Sequence, residues 1–390
     1  MEETLEDLLQ KAKNEEKHKN YNQAIIDLEK ARVLDENNKE ANIALSRLYM
    51  IVGKPIKGLE IILHQVDHDK DPDYLLQLSN IYLTMQRFQE AENRLLQALD
   101  IQKTAPLYNN LAVVMMRLNK GEQAVLYLYE SLKLNDTNPN TYFNLATYYE
   151  TQKDFAKSKQ VLEKARSKCE TAEIDERLIR VLLHLKKSEE ASEIVEEGLR
   201  RFPDTTSLLI AKARVLLQQG KYEDVLLWIA DISTKTILSS QLENTLLDIK
   251  LEALSRLARF DQALGVVEHL LQTPKSNPVY LLKKANLLVI KGDHKKAIQL
   301  LSDSLKRSIL PPNLRQDAVL MLRDIEVVNW QKFVEFLYMD PNFQNEFLEN
   351  PFQAVERRGI YLPLNNLQRV ANDIKKQRGT GYAASQQGVS

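Results

Sequence analysis

The amino-acid sequence predicts an all-α chain: a right-handed superhelical α-solenoid of stacked helix pairs, followed by a small helical C-terminal module. Three observations carry this. Small residues return along the chain at steps of 33 or 34 positions. The residues between them fall at i, i+4 and i+7, one face of a helix. Glycine-containing turns, such as Asn119-Lys120-Gly121, Gln219-Gly220-Lys221 and Lys291-Gly292-Asp293, separate the helices of several units and offer residues suited to positive φ.

The second helix of each unit is marked by two positions seven apart, in order Ala24/Ala31, Gly58/Gln65, Ala91/Ala98, Ala124/Ser131, Ser158/Ala165, Ala191/Gly198, Val225/Ile232, Ala263/Leu270 and Ala297/Ser304. An apolar residue sits between the members of each pair, from Leu28 and Ile62 through to Val267 and Leu301. Aromatic residues open several of these helices: Tyr21, Phe88, Phe155, Tyr222 and Phe260. The first helix carries its own mark twelve residues before the pair: Ala12, Ser46, Ser79, Ala112, Ala146, Ile179, Ala213, Leu251 and Ala285. Small residues facing each other let two helices approach closely while apolar neighbours fill the groove.

Nine units follow, starting near Leu5, Lys39, Pro72, Ala105, Pro139, Ala172, Thr206, Asn244 and Pro278. One step is 38 residues rather than 33 or 34, which places a longer connection around Asp231–Asn244. A helix–turn–helix unit of this period with these small residues resembles the tetratricopeptide repeat. The likeness spans about residues 5–312 and is clearest in YNQAIIDLEKARVLDENN, FQEAENRLLQALDIQ and YFNLATYYETQKDFAKSKQVLEKA. One such pair cannot bury its apolar face alone, so neighbours stack into a continuous core. The repeats therefore occupy residues 1–312, and residues 313–328 read as a capping helix with Leu314, Ala318, Met321 and Ile325 inward.

Residues 329–377 read as a module of short helices, broken at Asp340-Pro341, Asn350-Pro351 and Gly359 and carrying Phe333, Phe336, Phe343, Phe347 and Phe352. Proline suits a first helical turn. A piece of this size rarely builds a robust core alone, so it is expected to dock on the last repeats or on a partner. Its run from Phe336 to Val370 resembles the leader segments of ribosomally made, enzymatically modified peptide precursors. Residues 378–390 are polar and read as a disordered tail.

Composition narrows the function. The chain has 390 residues, 44% hydrophobic and 27% charged, the balance of a folded soluble protein. Its 53 basic and 54 acidic residues give a net charge of −1, which argues against nucleic acid as the main ligand. No apolar run is long enough to cross a membrane, and the charged start is no export signal, so a cytoplasmic location is expected. Phosphate-binding loops and nucleophile elbows are missing, and no cofactor is expected. His64 and His68 have a helical metal-ligand spacing but read as a polar helix end, and Cys169, the single cysteine, reads as incidental beside Lys168. A non-catalytic role follows.

In the family that the chain resembles, first helices line the concave face and hold extended peptides or a partner's helix. The resemblance puts Asn80, Asn109, Asn110, Phe143, Asn144, Thr147, Arg177, Arg180 and Arg214 on that face. Asparagine amides can pair with both groups of a peptide bond, and arginine forks suit carboxylates. Amides bonding only between helices is the competing reading. The clamp for a chaperone's C-terminal carboxylate does not match, since Leu9 and Leu76 stand where lysine is needed. The expected function is a scaffold binding a peptide or partner protein. The alternatives are an accessory protein of a peptide-modification or secretion system acting through the C-terminal module, or a non-catalytic subunit of an enzyme complex.

Overall fold

A computed structural model describes residues 3–235, 239–273 and 277–386. Every regular element among them is a helix. The chain divides into two compact units, Met1–Val215 and Leu216–Ser390. In the first lie α1 (Leu5–Lys17), α2 (Tyr21–Leu34), α3 (Lys39–Ile51), α4 (Pro55–Leu63), α5 (Pro72–Thr84), α6 (Phe88–Ile101), α7 (Ala105–Arg117) and α8 (Gly121–Leu134). They are followed by α9 (Pro139–Thr151), α10 (Phe155–Lys168), α11 (Ala172–His184) and α12 (Ser188–Arg201), and α13 (Thr206–Gln218) runs across the division. The second unit continues with α14 (Tyr222–Lys235), α15 (Ser240–Arg256), α16 (Phe260–Gln272), α17 (Val279–Ile290) and α18 (His294–Lys306). It closes with α19 (Pro312–Met339), α20 (Pro341–Glu349), α21 (Pro351–Arg357) and α22 (Leu364–Gln386).

Consecutive helices pack as pairs, as the period demands. The marked positions explain why. Ala12, Ser46, Ser79, Ala112, Ala146, Ala213 and Ala285 are all buried, as are Ala24, Ala91, Ala124, Ser158, Ala191 and Ala297 opposite them. In the second pair, Ser46 Oγ donates to the Gly58 carbonyl at 3.0 Å. A Cβ built on Gly58 would lie 2.8 Å from the Ser46 carbonyl oxygen, so only glycine permits this approach. The buried side chains of the first unit join in one cluster from Leu8 to Val215.

The turns between paired helices share one device. In each of the nine pairs a single residue takes positive φ: Lys19, Gly53, Gln86, Asn119, Lys153, Lys186, Gly220, Ala258 and Gly292. Only three are glycine. In Asn119-Lys120-Gly121 the left-handed residue is Asn119, not the glycine expected. Gly121 instead starts α8, where an added Cβ would meet the Tyr148 ring at 2.5 Å. The 38-residue step is also resolved differently from expectation. α14 keeps 14 residues, whereas α15 has 17 against 13 for α13, so the extra residues lengthen a helix. Residues 236–238 of the expected connection lie outside the described residues.

The boundary drawn at 328/329 falls inside α19, a continuous helix of 28 residues. No proline or glycine interrupts residues 313–339, so nothing stops it. Its inner face is as read: Ala318 and Ile325 are buried, with Leu314 and Met321 packed beside them. Its outer face is not polar, because Val319, Leu320, Val327 and Val334 remain exposed. The breaks at Asp340-Pro341 and Asn350-Pro351 are helix starts, each capped by the acidic or amide side chain before the proline. α22 runs on to Gln386, past the point where composition sets a disordered tail, and residues 387–390 lie outside the described residues.

The module has a core of its own. Phe333, Phe343 and Phe347 are buried and meet at ring separations of 4.9 to 6.0 Å, with Leu367 and Ala371 of α22 in the same cluster. The long α19 supplies the wall that a 50-residue piece would otherwise lack. Docking on the last repeat runs through Asn329, fully buried on α19. Its Nδ2 donates to the Ile325 carbonyl at 2.7 Å and faces His294 Nδ1 at 3.2 Å, while its Oδ1 accepts the Tyr361 N–H at 2.9 Å. Lys295 pairs with Glu356 at 2.9 Å nearby.

Candidate partner-binding site

In four successive first helices, α5, α7, α9 and α11, the side chain two positions before the marked residue behaves alike. Gln77 Nε2 on α5 donates to Ser46 Oγ on α3 at 3.1 Å. Asn110 Nδ2 on α7 donates to Asn80 Oδ1 on α5 at 2.8 Å. Asn144 Nδ2 on α9 donates to Asn109 Oδ1 on α7 at 2.9 Å. Arg177 on α11 donates to Thr147 Oγ1 on α9 at 3.3 Å. Each reaches back to the previous first helix. This geometry accounts for an asparagine recurring in a helix whose backbone is already paired, although asparagine is a weak helix former.

Of the residues read as partner-binding, the structure joins seven into one row. Asn80, Asn110, Asn109 and Asn144 are half-buried, with Asn109 and Asn110 loosely linked at 3.5 Å. Thr147 and Arg177 continue the row, and the Arg177 guanidinium lies 4.3 Å from the centroid of Phe143. A cation over an aromatic face holds the arginine in place. Arg180 and Arg214 occupy equivalent positions on α11 and α13, are exposed, and make no ion pair or side-chain hydrogen bond among the described residues. The row keeps unused capacity as well. Asn80 Nδ2 and Asn144 Oδ1 have no partner among the described residues, and both residues reach solvent.

Sequence reasoning missed a cavity of about 590 Å³ against α1 and α3. Leu9, Ala12, Leu28, Ile43 and Ala44 form its apolar lining, and charged residues rim it. Lys13 pairs there with Glu40 at 2.7 Å, Arg47 with Glu16 at 2.8 Å, and Lys39 with Asp73 at 2.5 Å. These pairs join residues 27 to 34 positions apart, and the 34-residue period is the signal that would have found them.

Elsewhere the chemistry is structural. Cys169 is buried, its Sγ 3.2 Å from the Thr137 carbonyl, while Lys168 pairs with Asp136 at 2.7 Å instead of activating the thiol. Burial, and then the Asp136 carboxylate, push that thiol up, so thiolate is disfavoured. His68 Nδ1 sits 2.8 Å from the Gln65 carbonyl, and no cluster of three or more metal-ligating side chains occurs among the described residues. No described helix is long and apolar enough to cross a membrane.

Two stretches match family models for the tetratricopeptide repeat: residues 73–105, which hold nearly all of α5 with α6, and residues 139–165, which hold α9 and most of α10. Over these two stretches the chain carries tetratricopeptide repeats. No curated protein matches it. Among solved structures it is similar to pilF of Pseudomonas aeruginosa at 21% identity and TM-score 0.40, over 52% of this chain and 94% of that one. It is also similar to a tetratricopeptide repeat protein of Parabacteroides merdae at 14% identity and TM-score 0.43, over 63% of this chain and 98% of that one. The Cut9–Hcn1 hetero-tetramer of the APC/C gives 12% identity and TM-score 0.43, over 82% of this chain and 76% of that one. At these identities the likeness carries no argument about what the repeats bind.

Proposed function

We propose that this helical-repeat chain is a scaffold that holds an extended peptide or partner segment along the first helices α5, α7, α9 and α11. The observation that supports it is the row of half-buried amides ending in free hydrogen-bonding groups, with two unpaired arginines on the next first helices. Bonds between the amides fix their orientation, so little side-chain entropy remains to be lost on docking. Asn80 Nδ2 and Asn144 Oδ1 then offer a donor and an acceptor to a peptide backbone. Arg180 and Arg214 favour a segment with carboxylates beyond that point. The phenylalanines of the C-terminal module, apart from exposed Phe352, are committed to or packed against its own core and give little support to recognition through them.

The test uses the full chain and peptides selected on it from a random dodecamer library. Changing Arg180 and Arg214 together to alanine removes two exposed, unpaired charges and should leave the fold intact. Affinity for the selected peptides should fall about tenfold or more, as expected for lost charge-assisted hydrogen bonds. Selected peptides that bind the double variant as tightly as the parent would remove the arginines from the site.

A further inference from the structure

We infer that a second site, in the groove between α17, α18 and α19, takes a basic side chain from a partner polypeptide. A cavity of about 350 Å³ opens there. Asp317 and Asp324 of α19 line it, along with His294 at the start of α18 and Asn286 of α17. The two aspartates are seven residues apart, two helical turns or about 10 Å along the axis, and so share a face. Both are exposed, and neither pairs with a basic side chain among the described residues. Nearby, Asp293 pairs with Lys296 at 2.7 Å and Lys283 with Asp248 at 2.5 Å, while Lys332 of α19 acts on His294 from the same helix. The two unpaired carboxylates, about 10 Å apart, place negative charge at the mouth of a pocket whose floor is apolar.

His294 adds a directed donor. It is 94% buried, given a relative exposure of 6%, yet lines the cavity. The Tyr361 N–H fixes the Asn329 amide by donating to Oδ1, so Nδ2 is the atom facing His294 Nδ1. A donor there requires Nδ1 to accept, which leaves the imidazole proton on Nε2. That N–H has no partner among the described residues, and a ligand carbonyl would satisfy it. Exposed Leu320 and Val328 flank the entrance. The arrangement suits an arginine or lysine whose stem packs on the leucine and valine while its head meets the aspartates. Its own backbone carbonyl, or a neighbour's, then accepts from His294. The occupant is thus a basic, partly apolar segment, chemically unlike the acidic segment favoured at α11 and α13.

The experiment uses the full chain and two dodecamer peptide libraries, random except for one fixed position that is arginine in one and glutamine in the other. Binding is read by fluorescence polarisation against the parent, the Asp317→Asn/Asp324→Asn variant, and Asp373→Asn on α22 as a distant control. The parent should prefer arginine peptides by about tenfold or more. That preference should vanish in the double variant and persist in the control, with thermal melting unchanged in both. A parent without preference, or a double variant that keeps it, overturns the site. Neither result bears on Arg180 and Arg214, so the two binding proposals stand or fall separately.

Discussion

Glycine is the poorest helix former short of proline, so replacing it by alanine inside an exposed helix normally stabilises by about 1 kcal/mol. Gly265, exposed in the middle of α16, meets that condition: nothing lies within 4 Å of an added Cβ. Gly58, in α4, does not. Its added Cβ would stand 2.8 Å from the Ser46 carbonyl oxygen and 3.0 Å from Ser46 Oγ. The nearest atom belongs to a helix backbone, so α3 and α4 must part to make room. Overpacking of this kind costs about 1–3 kcal/mol. Gly265→Ala should therefore gain about 1 kcal/mol, whereas Gly58→Ala should range from neutral to a loss of about 2 kcal/mol. The assay must report each unit separately, because both tryptophans, Trp228 and Trp330, lie in the second unit. Amide hydrogen exchange in α3–α4 and in α15–α16 does so. Equal gains in protection at both sites would refute the close approach of α3 and α4.

Ala146→Leu, at a fully buried interhelical position, should cost about 1–3 kcal/mol by the same overpacking and lower the first unit's exchange protection. Ala258 holds φ +56° in an exposed turn, so Ala258→Gly should raise stability by roughly 1 kcal/mol in denaturant melts, the strain of the left-handed region outweighing glycine's entropy. Docking of the C-terminal module should weaken in acid. Burial first, and then Lys332, lower the His294 pKa from its ordinary 6.5, against the opposing pull of Asn329 and Asp293. Protonation is thus taken up more readily by the undocked state, and stability should fall as pH drops below about 6.5. The protection factor of the Tyr361 amide, taken relative to intrinsic exchange at each pH, should fall across that range in the parent but not in His294→Gln; a pH-independent protection factor in the parent would oppose the reading.

The helix pairs were legible because burial of small residues imposes a strict period. Ala112, Ala146 and their equivalents mark the interface wherever the backbone is close, and no competing pattern obscures them. Turn chemistry was read less well. A left-handed residue is needed once in each pair, but surrounding packing compels Lys153, Lys186 and Ala258 to adopt it, so glycine is a poor guide to its place. The 38-residue step could be counted but not assigned, since Ser239 supplies an N-cap four residues earlier than the repeat alone suggests. At the partner-binding face, sequence reasoning found the amides without finding their bonds. Reach between Asn144 and Asn109, or Asn110 and Asn80, depends on the stacking offset of neighbouring first helices. The cavities at α1 and α19 were invisible for the same reason: each is lined by residues from several helices.

The central claim is that the amide row holds a peptide rather than only tying first helices together. Side-chain amide resonances of the full chain, recorded by NMR as a library-selected peptide is added, test this most directly. The account predicts that Asn80 and Asn144 shift most, at saturation in step with binding, with Asn109 and Asn110 following because they are bonded to them. Buried Asn329 should stay where it is. Tight binding that leaves all four amides of the row unshifted would contradict it and leave them as struts between helices.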